Sequence, residues 1–123
     1  MRELLDKIEE FNKAFKVEVS NDFQAPDLLR YKLMLEENLE YIQSQDDVEV
    51  VDAIGDMLYI LCGTIVHHGL QDRIVDIFNE IHRSNMSKLG PGGPIIREDG
   101  KVLKGPDYSP PDIKKFICTD DKI

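Results

Sequence analysis

From Val50 to Val66 the chain is almost wholly apolar, and its only charged residues there are Asp52 and Asp56. That pattern narrows the choice of fold more than any other. The run is helical in period and reads as a helix over Val48 to His68, stopped by Gly69 as its C′ residue. A helix that is apolar on nearly every side belongs inside a bundle or at an oligomer interface. Aspartate is a poor helix former and is almost never buried without a partner. Asp52 and Asp56, four apart, share a face, so something must compensate them.

The preceding helical segment repeats the problem. It opens at Pro26-Asp27, where Pro is tolerated in a first turn and Asp favours one, and runs to about Gln43. Leu28, Leu35, Leu39 and Ile42 form one stripe. A neighbouring stripe begins with Leu29 and Leu33 and continues as Glu36 and Glu40, with Glu37 at its edge. Ser44-Gln45-Asp46-Asp47 is a short polar connection, which makes the two segments an antiparallel helical hairpin. Neither helix supplies a lysine or arginine near these acids, since Arg30 and Lys32 lie at the far end of theirs. Two carboxylates about 4 Å apart repel by roughly 4 kcal/mol at an effective dielectric of 20. Several converging carboxylates therefore need protons or a cation, and an all-oxygen set suits a hard ion such as Mg²⁺, with Mn²⁺ as a substitute. A di-iron bundle would need Glu-x-x-His pairs. None of His67, His68 and His82 follows a glutamate by three.

The rest of the chain extends the helical pattern and then abandons it. Arg2 to Phe15 carries Leu4, Leu5, Ile8, Phe11 and Phe15 at helical spacing, and Val17 to Ala25 reads as a loop with an Asn21-Asp22 turn. A fourth helix is expected from about Gln71 to Lys88, with Ile74, Ile77, Phe78, Ile81 and Leu89 as its stripe. Gly90-Pro91-Gly92-Gly93-Pro94 ends it. Ile95-Ile96-Arg97 and Val102-Leu103-Lys104 flank Asp99-Gly100, a hairpin signal. Pro106, Pro110 and Pro111 then extend the tail, with one helical turn expected near Asp112 to Phe116. The expected architecture is all-α: a four-helix bundle with a small C-terminal β-hairpin and an extended tail. It reads as one domain, with a helical core over about 1–89 and hairpin and tail over about 90–123.

With 123 residues, 41% of them apolar, the chain can build a real core. Its net charge of −9 argues against a nucleic-acid polymer as partner, though a metal could still bridge it to a nucleotide. The longest strongly apolar run, Met57 to Val66, has ten residues against the roughly 20 of a membrane span, so no membrane partner is expected. The acidic N-terminus does not read as a signal peptide. Cys62 and Cys118 show no paired spacing, and a reduced cytoplasmic setting fits best.

Glu36-Glu37-Asn38-Leu39-Glu40 matches the EExxE motif of the all-α NTP pyrophosphohydrolases. These comprise MazG-like proteins, dimeric all-α dUTPases and phosphoribosyl-ATP pyrophosphohydrolases. Their second motif, ExxD, falls on the next helix, where Asp56 matches its Asp and Met57-Leu58-Tyr59 resembles the apolar continuation. The chain departs from the motif at its Glu, which falls on Ala53. Asp52, one residue earlier, is the candidate to take over, directly or through water. The segments from Ile81 to Lys88 and from Gly100 to Pro106 resemble one MazG-like branch.

The resemblance implies Mg²⁺-dependent hydrolysis of a nucleoside triphosphate to monophosphate and pyrophosphate, in nucleotide-pool housecleaning, by a homodimer or homotetramer. It implies Glu37, Glu40 and Asp56 as metal ligands, Asp52 as an extra ligand, and Glu36 to orient or deprotonate water. His82, Asn85, Lys88 and Lys104 are candidate substrate contacts. Asn85 interrupts the apolar stripe of its helix, His82 and Lys88 border that stripe, and Lys104 precedes Gly105, where a ligand could approach the backbone. Each has a plainer reading, as a satisfied core or surface residue. Two other functions stay open: phosphoribosyl-ATP hydrolysis in histidine synthesis, and a non-enzymatic acidic helical interaction module.

Overall fold

The computed structural model describes residues 1–17 and 25–117. Four long helices, a two-stranded antiparallel hairpin and a tail make up the chain, as the sequence pattern indicates. Most of the expected Val17–Ala25 loop, with its Asn21-Asp22 turn, lies outside the described residues, as does Cys118. The chain packs as two compact units, Met1–Asp72 and Arg73–Ile123.

The first unit holds α1 (Arg2–Ala14), α2 (Leu28–Gln43) and α3 (Asp47–His67). Pro26 was expected inside the first turn of α2 but stands before it. Asp27 is the N-cap, extended at φ −119°, and its Oδ1 accepts the Leu29 N–H at 2.7 Å. The cap of α3 is built the same way. Asp46 Oδ1 accepts the Glu49 N–H at 2.8 Å, and Glu49 Oε1 in turn accepts the Gln45 N–H at 2.9 Å. Both partners come from the polar connection, so the same few residues end one helix and start the next. At the far end of α3, Gly69 adopts φ +70° and its N–H reaches the Val66 carbonyl, while Leu70 N–H reaches that of Ile65. That pair of bonds closes the helix with a Schellman motif.

α3 is the central helix of this unit, flanked by α1 and α2. Leu5 and Ile8 of α1 and Ala53, Cys62, Ile65 and Val66 of α3 are buried. Each of Leu5, Ile8, Ile65 and Val66 contributes about 1.5–3 kcal/mol when fully removed from water. Phe11 meets Tyr59 edge-on at 5.9 Å between ring centroids. Arg2 ties the start of α1 to Asp6, Glu9 and Asp72.

The sequence left two places for α3, inside a bundle or at an oligomer interface, and this chain alone does not bury it on every side. Val51, Ile54, Leu58 and Leu61 are exposed, and so are Leu28, Leu35, Leu39 and Ile42 of α2. Two flanking helices can cover only part of an all-round apolar helix. By length and composition, α3 alone among the described residues is long and apolar enough to cross a membrane, which the ten-residue run Met57 to Val66 did not suggest. Its inner surface instead packs against α1 and α2.

The second unit holds α4 (Ile74–Met86), β1 (Ile95–Ile96), β2 (Val102–Leu103) and α5 (Lys114–Ile117). α4 is shorter at both ends than its apolar stripe suggests. Arg73 provides no side-chain cap, and Ser87 and Lys88 form a turn. Ile95 pairs with Leu103 and Ile96 with Val102. The Arg97 N–H reaches the Lys101 carbonyl and the Gly100 N–H that of Arg97, closing the Asp99-Gly100 turn. The tail is tied to α4 by polar contacts. Glu80, 8% exposed, accepts both Arg83 Nε and Nη2 and the Asp112 N–H, and Ser87 Oγ accepts the Ser109 N–H at 2.8 Å.

Candidate functional site

α2 and α3 pair antiparallel, which brings the middle of each against the other. Arg30, Leu33, Met34 and Glu37 are the half-buried positions of α2. The face that meets α3 is therefore offset from both sequence stripes, and Glu37, rather than Glu36, lies on it. Glu37, Glu40 and Asp56 each place a carboxylate oxygen within 4.8 Å of the other two. Glu37 and Asp56 are half-buried; Glu40 is at the rim.

Glu37 Oε2 is out of contact with solvent and has no hydrogen-bond partner. A hydrogen bond shared with Glu40, reinforced by burial and by the charges of Glu40, Asp56 and Glu36, holds the Glu37 carboxyl up at about 7, against an ordinary 4.5. An orphaned buried carboxylate oxygen beside two more carboxylates is the donor set of a hard divalent cation. The residues present fit such an ion.

Glu36 is exposed and outside this trio, though close enough for its charge to act on Glu37. Asp52 is exposed and lines a neighbouring acidic cleft of about 290 Å³ with Glu40, Gln43, Ser44, Glu49 and Ala53. Ala53 itself is buried. Ser44 Oγ donates to the Glu40 carbonyl at 2.7 Å and fixes the end of α2 there.

The four substrate-contact candidates separate. Asn85 and Lys88 line a cavity of about 480 Å³ between the end of α4 and the hairpin. His82 is exposed and outside it. Lys104 Nζ sits 4.7 Å over the Tyr108 ring, also outside it. Gly105 does permit a close approach, but the group that approaches is the chain's own backbone. Its N–H donates to the Lys88 carbonyl at 3.0 Å, and a Cβ at Gly105 would stand 2.5 Å from that oxygen. The hairpin lysine that lines the cavity is Lys101 rather than Lys104. Strand alternation gave no signal, because Lys101 lies in the turn just before β2.

A family model of phosphoribosyl-ATP pyrophosphohydrolases matches residues 1–85. The chain belongs to that family, within the all-α MazG-like NTP pyrophosphohydrolase superfamily. No curated protein matches it. Membership makes a pyrophosphohydrolase, a hydrolase of phosphoric anhydrides, the activity class of this fold and site. The match covers all of α1 to α3 and with them the carboxylate trio.

Proposed function

We propose that this protein is a Mg²⁺-dependent pyrophosphohydrolase that cleaves a nucleoside triphosphate, with water, to the monophosphate and pyrophosphate. The observation that carries the reading is the convergence of Glu37, Glu40 and Asp56 around a buried oxygen without a partner. Those three residues would hold the ion, and Asp52 extends the acidic surface along the adjoining cleft. When bound, Mg²⁺ supplies Lewis-acid charge for the phosphoric anhydride. Glu37 would give up its proton to hold the ion. Glu36, on the neighbouring solvent-facing position, is the proposed base that orients a water and accepts its proton. The setting we propose is cytoplasmic nucleotide-pool housecleaning.

The family description favours a second substrate of the same chemistry, phosphoribosyl-ATP. Pyrophosphate release from purified protein, measured across NTPs, dNTPs and phosphoribosyl-ATP in Mg²⁺ or EDTA, tests both readings. Turnover should appear only with the metal. Glu40→Gln should reduce it by roughly 100-fold or more, as expected for removing a metal ligand. Full activity in that variant would overturn the assignment.

We also infer a homodimer or homotetramer. The support is the pair of exposed aliphatic stripes, one on α2 and one on α3, each at helical spacing.

A further inference from the structure

The cavity at the end of α4 lies within the second unit and uses none of the carboxylates described above. We propose that it is a nucleoside 5′-monophosphate pocket, with Lys101 and Lys88 as its phosphate contacts. Its volume, about 480 Å³, falls within the usual range for small-molecule sites. Met86, Leu89, Pro94 and Val102 line it with apolar surface, while Asn85, Lys88 and Lys101 supply the polar groups. That composition suits a flat, weakly polar ring carrying an anion. An asparagine amide can donate and accept at once, as the edge of a heterocycle requires.

Charge supports an anionic occupant. Residues 1–72 hold six basic residues against sixteen acidic ones, whereas residues 73–123 hold nine against eight. The cavity thus belongs to the half of the chain that does not repel phosphate. Among the described residues, neither the Lys88 nor the Lys101 ammonium forms an ion pair, and the Asn85 amide makes no hydrogen bond. These groups are therefore available to a ligand.

The cavity is also held in shape. The Gly105 bond to the Lys88 carbonyl clips the far side of the hairpin to the end of α4, and a backbone bridge between Gly90 and Gly93 fixes the intervening turn. Asn85 and Lys88, three residues apart, share one side of the chain as it leaves the helix. Lys101 and Val102 enter from the hairpin. The pocket thus needs both segments, and the hairpin residues lie beyond the family match.

The choice of a nucleotide over other phosphate esters rests on the pyrophosphohydrolase reading. Binding to the pocket does not require the metal. The full chain in EDTA should therefore bind at least one of AMP, CMP, GMP and UMP by calorimetric titration. The corresponding nucleoside and ribose 5-phosphate should each bind at least about tenfold more weakly, because each lacks half of the recognition. Lys101→Gln should weaken the monophosphate about tenfold, Val102→Trp should abolish binding by filling the cavity, and Lys114→Gln should change nothing. Glu40→Gln should bind as the natural chain does. No binding of any of the four monophosphates would overturn the pocket. So would full affinity in Lys101→Gln, or an equivalent loss in Lys104→Gln instead. A protein that binds monophosphates but hydrolyses no anhydride would leave the pocket standing and remove the catalytic reading. One that hydrolyses triphosphates but binds no monophosphate would do the reverse.

Discussion

Two glutamates of this chain titrate in opposite directions for opposite reasons. Glu37, among other carboxylates, is held up at about 7. Without metal, the folded chain therefore binds this proton more tightly than the unfolded chain does. The resulting stability is complete below about 4.5 and is lost as the pH rises through about 7. Glu80 receives the Arg83 guanidinium and the Asp112 N–H and is held down at about 2. Its contribution is present above 4.5 and is lost as the pH falls toward 2. In EDTA, Glu37→Gln should melt with the natural chain at acid pH and above it at pH 8, because glutamine mimics the protonated form. Mg²⁺ should raise the melting temperature of the natural chain at pH 8 and leave that of Glu37→Gln nearly unmoved. A variant that melts lower than the natural chain at pH 8 in EDTA would refute the shared-proton account. Glu80→Gln should lose stability at neutral pH and converge with the natural chain in acid. The helical wheel set Glu37 only at the edge of its stripe, and it was the EExxE match that named it a metal ligand; Glu80 carried no motif at all.

At the level of single helices, the α2–α3 contact depends on an arginine crossing a glycine. Arg30 Nη2 donates to the Ile60 carbonyl at 2.9 Å and Nε to Thr64 Oγ1 at 3.2 Å. Burial lowers the Arg30 pKa from its ordinary value, and nearby Asp27 opposes the shift. A Cβ on Gly63 would stand 2.5 Å from Nη2. Gly63→Ala must displace the guanidinium and lose both hydrogen bonds, at about 1 kcal/mol each. It regains about 1 kcal/mol from helix propensity. Gly63→Ala should therefore destabilise the chain by about 1 kcal/mol. In an Arg30→Met background the same change should stabilise by about 0.5–1 kcal/mol. A double-mutant cycle by urea denaturation measures the coupling, and additive effects would show that Arg30 does not need the glycine. The helix ends were easier to read than this crossing. Asp27, the polar run at 44–47 and Gly69 all act at helix ends, because capping is decided within a few neighbouring residues.

For the molecule as a whole, the exposed aliphatic stripes lead to an expectation about assembly. Sedimentation at micromolar concentration should give two or four times the 14.1 kDa chain mass. Ile54→Glu should shift the protein toward monomer without loss of helical circular dichroism. A natural chain that sediments as a monomer at tens of micromolar would remove the oligomer. The sequence alone determined the order and type of the elements, the four helices and the hairpin, because periodicity, capping and turn chemistry are local. It also carried the EExxE and Asp56 match that names the family. Only tertiary structure decided that Glu37 faces inward while Glu36 and Asp52 do not, and that Lys101 rather than Lys104 enters the α4 cavity. A helical wheel places residues around one axis. The rotation of that axis against its neighbour follows from packing such as Arg30 over Gly63, and no window of sequence contains both partners.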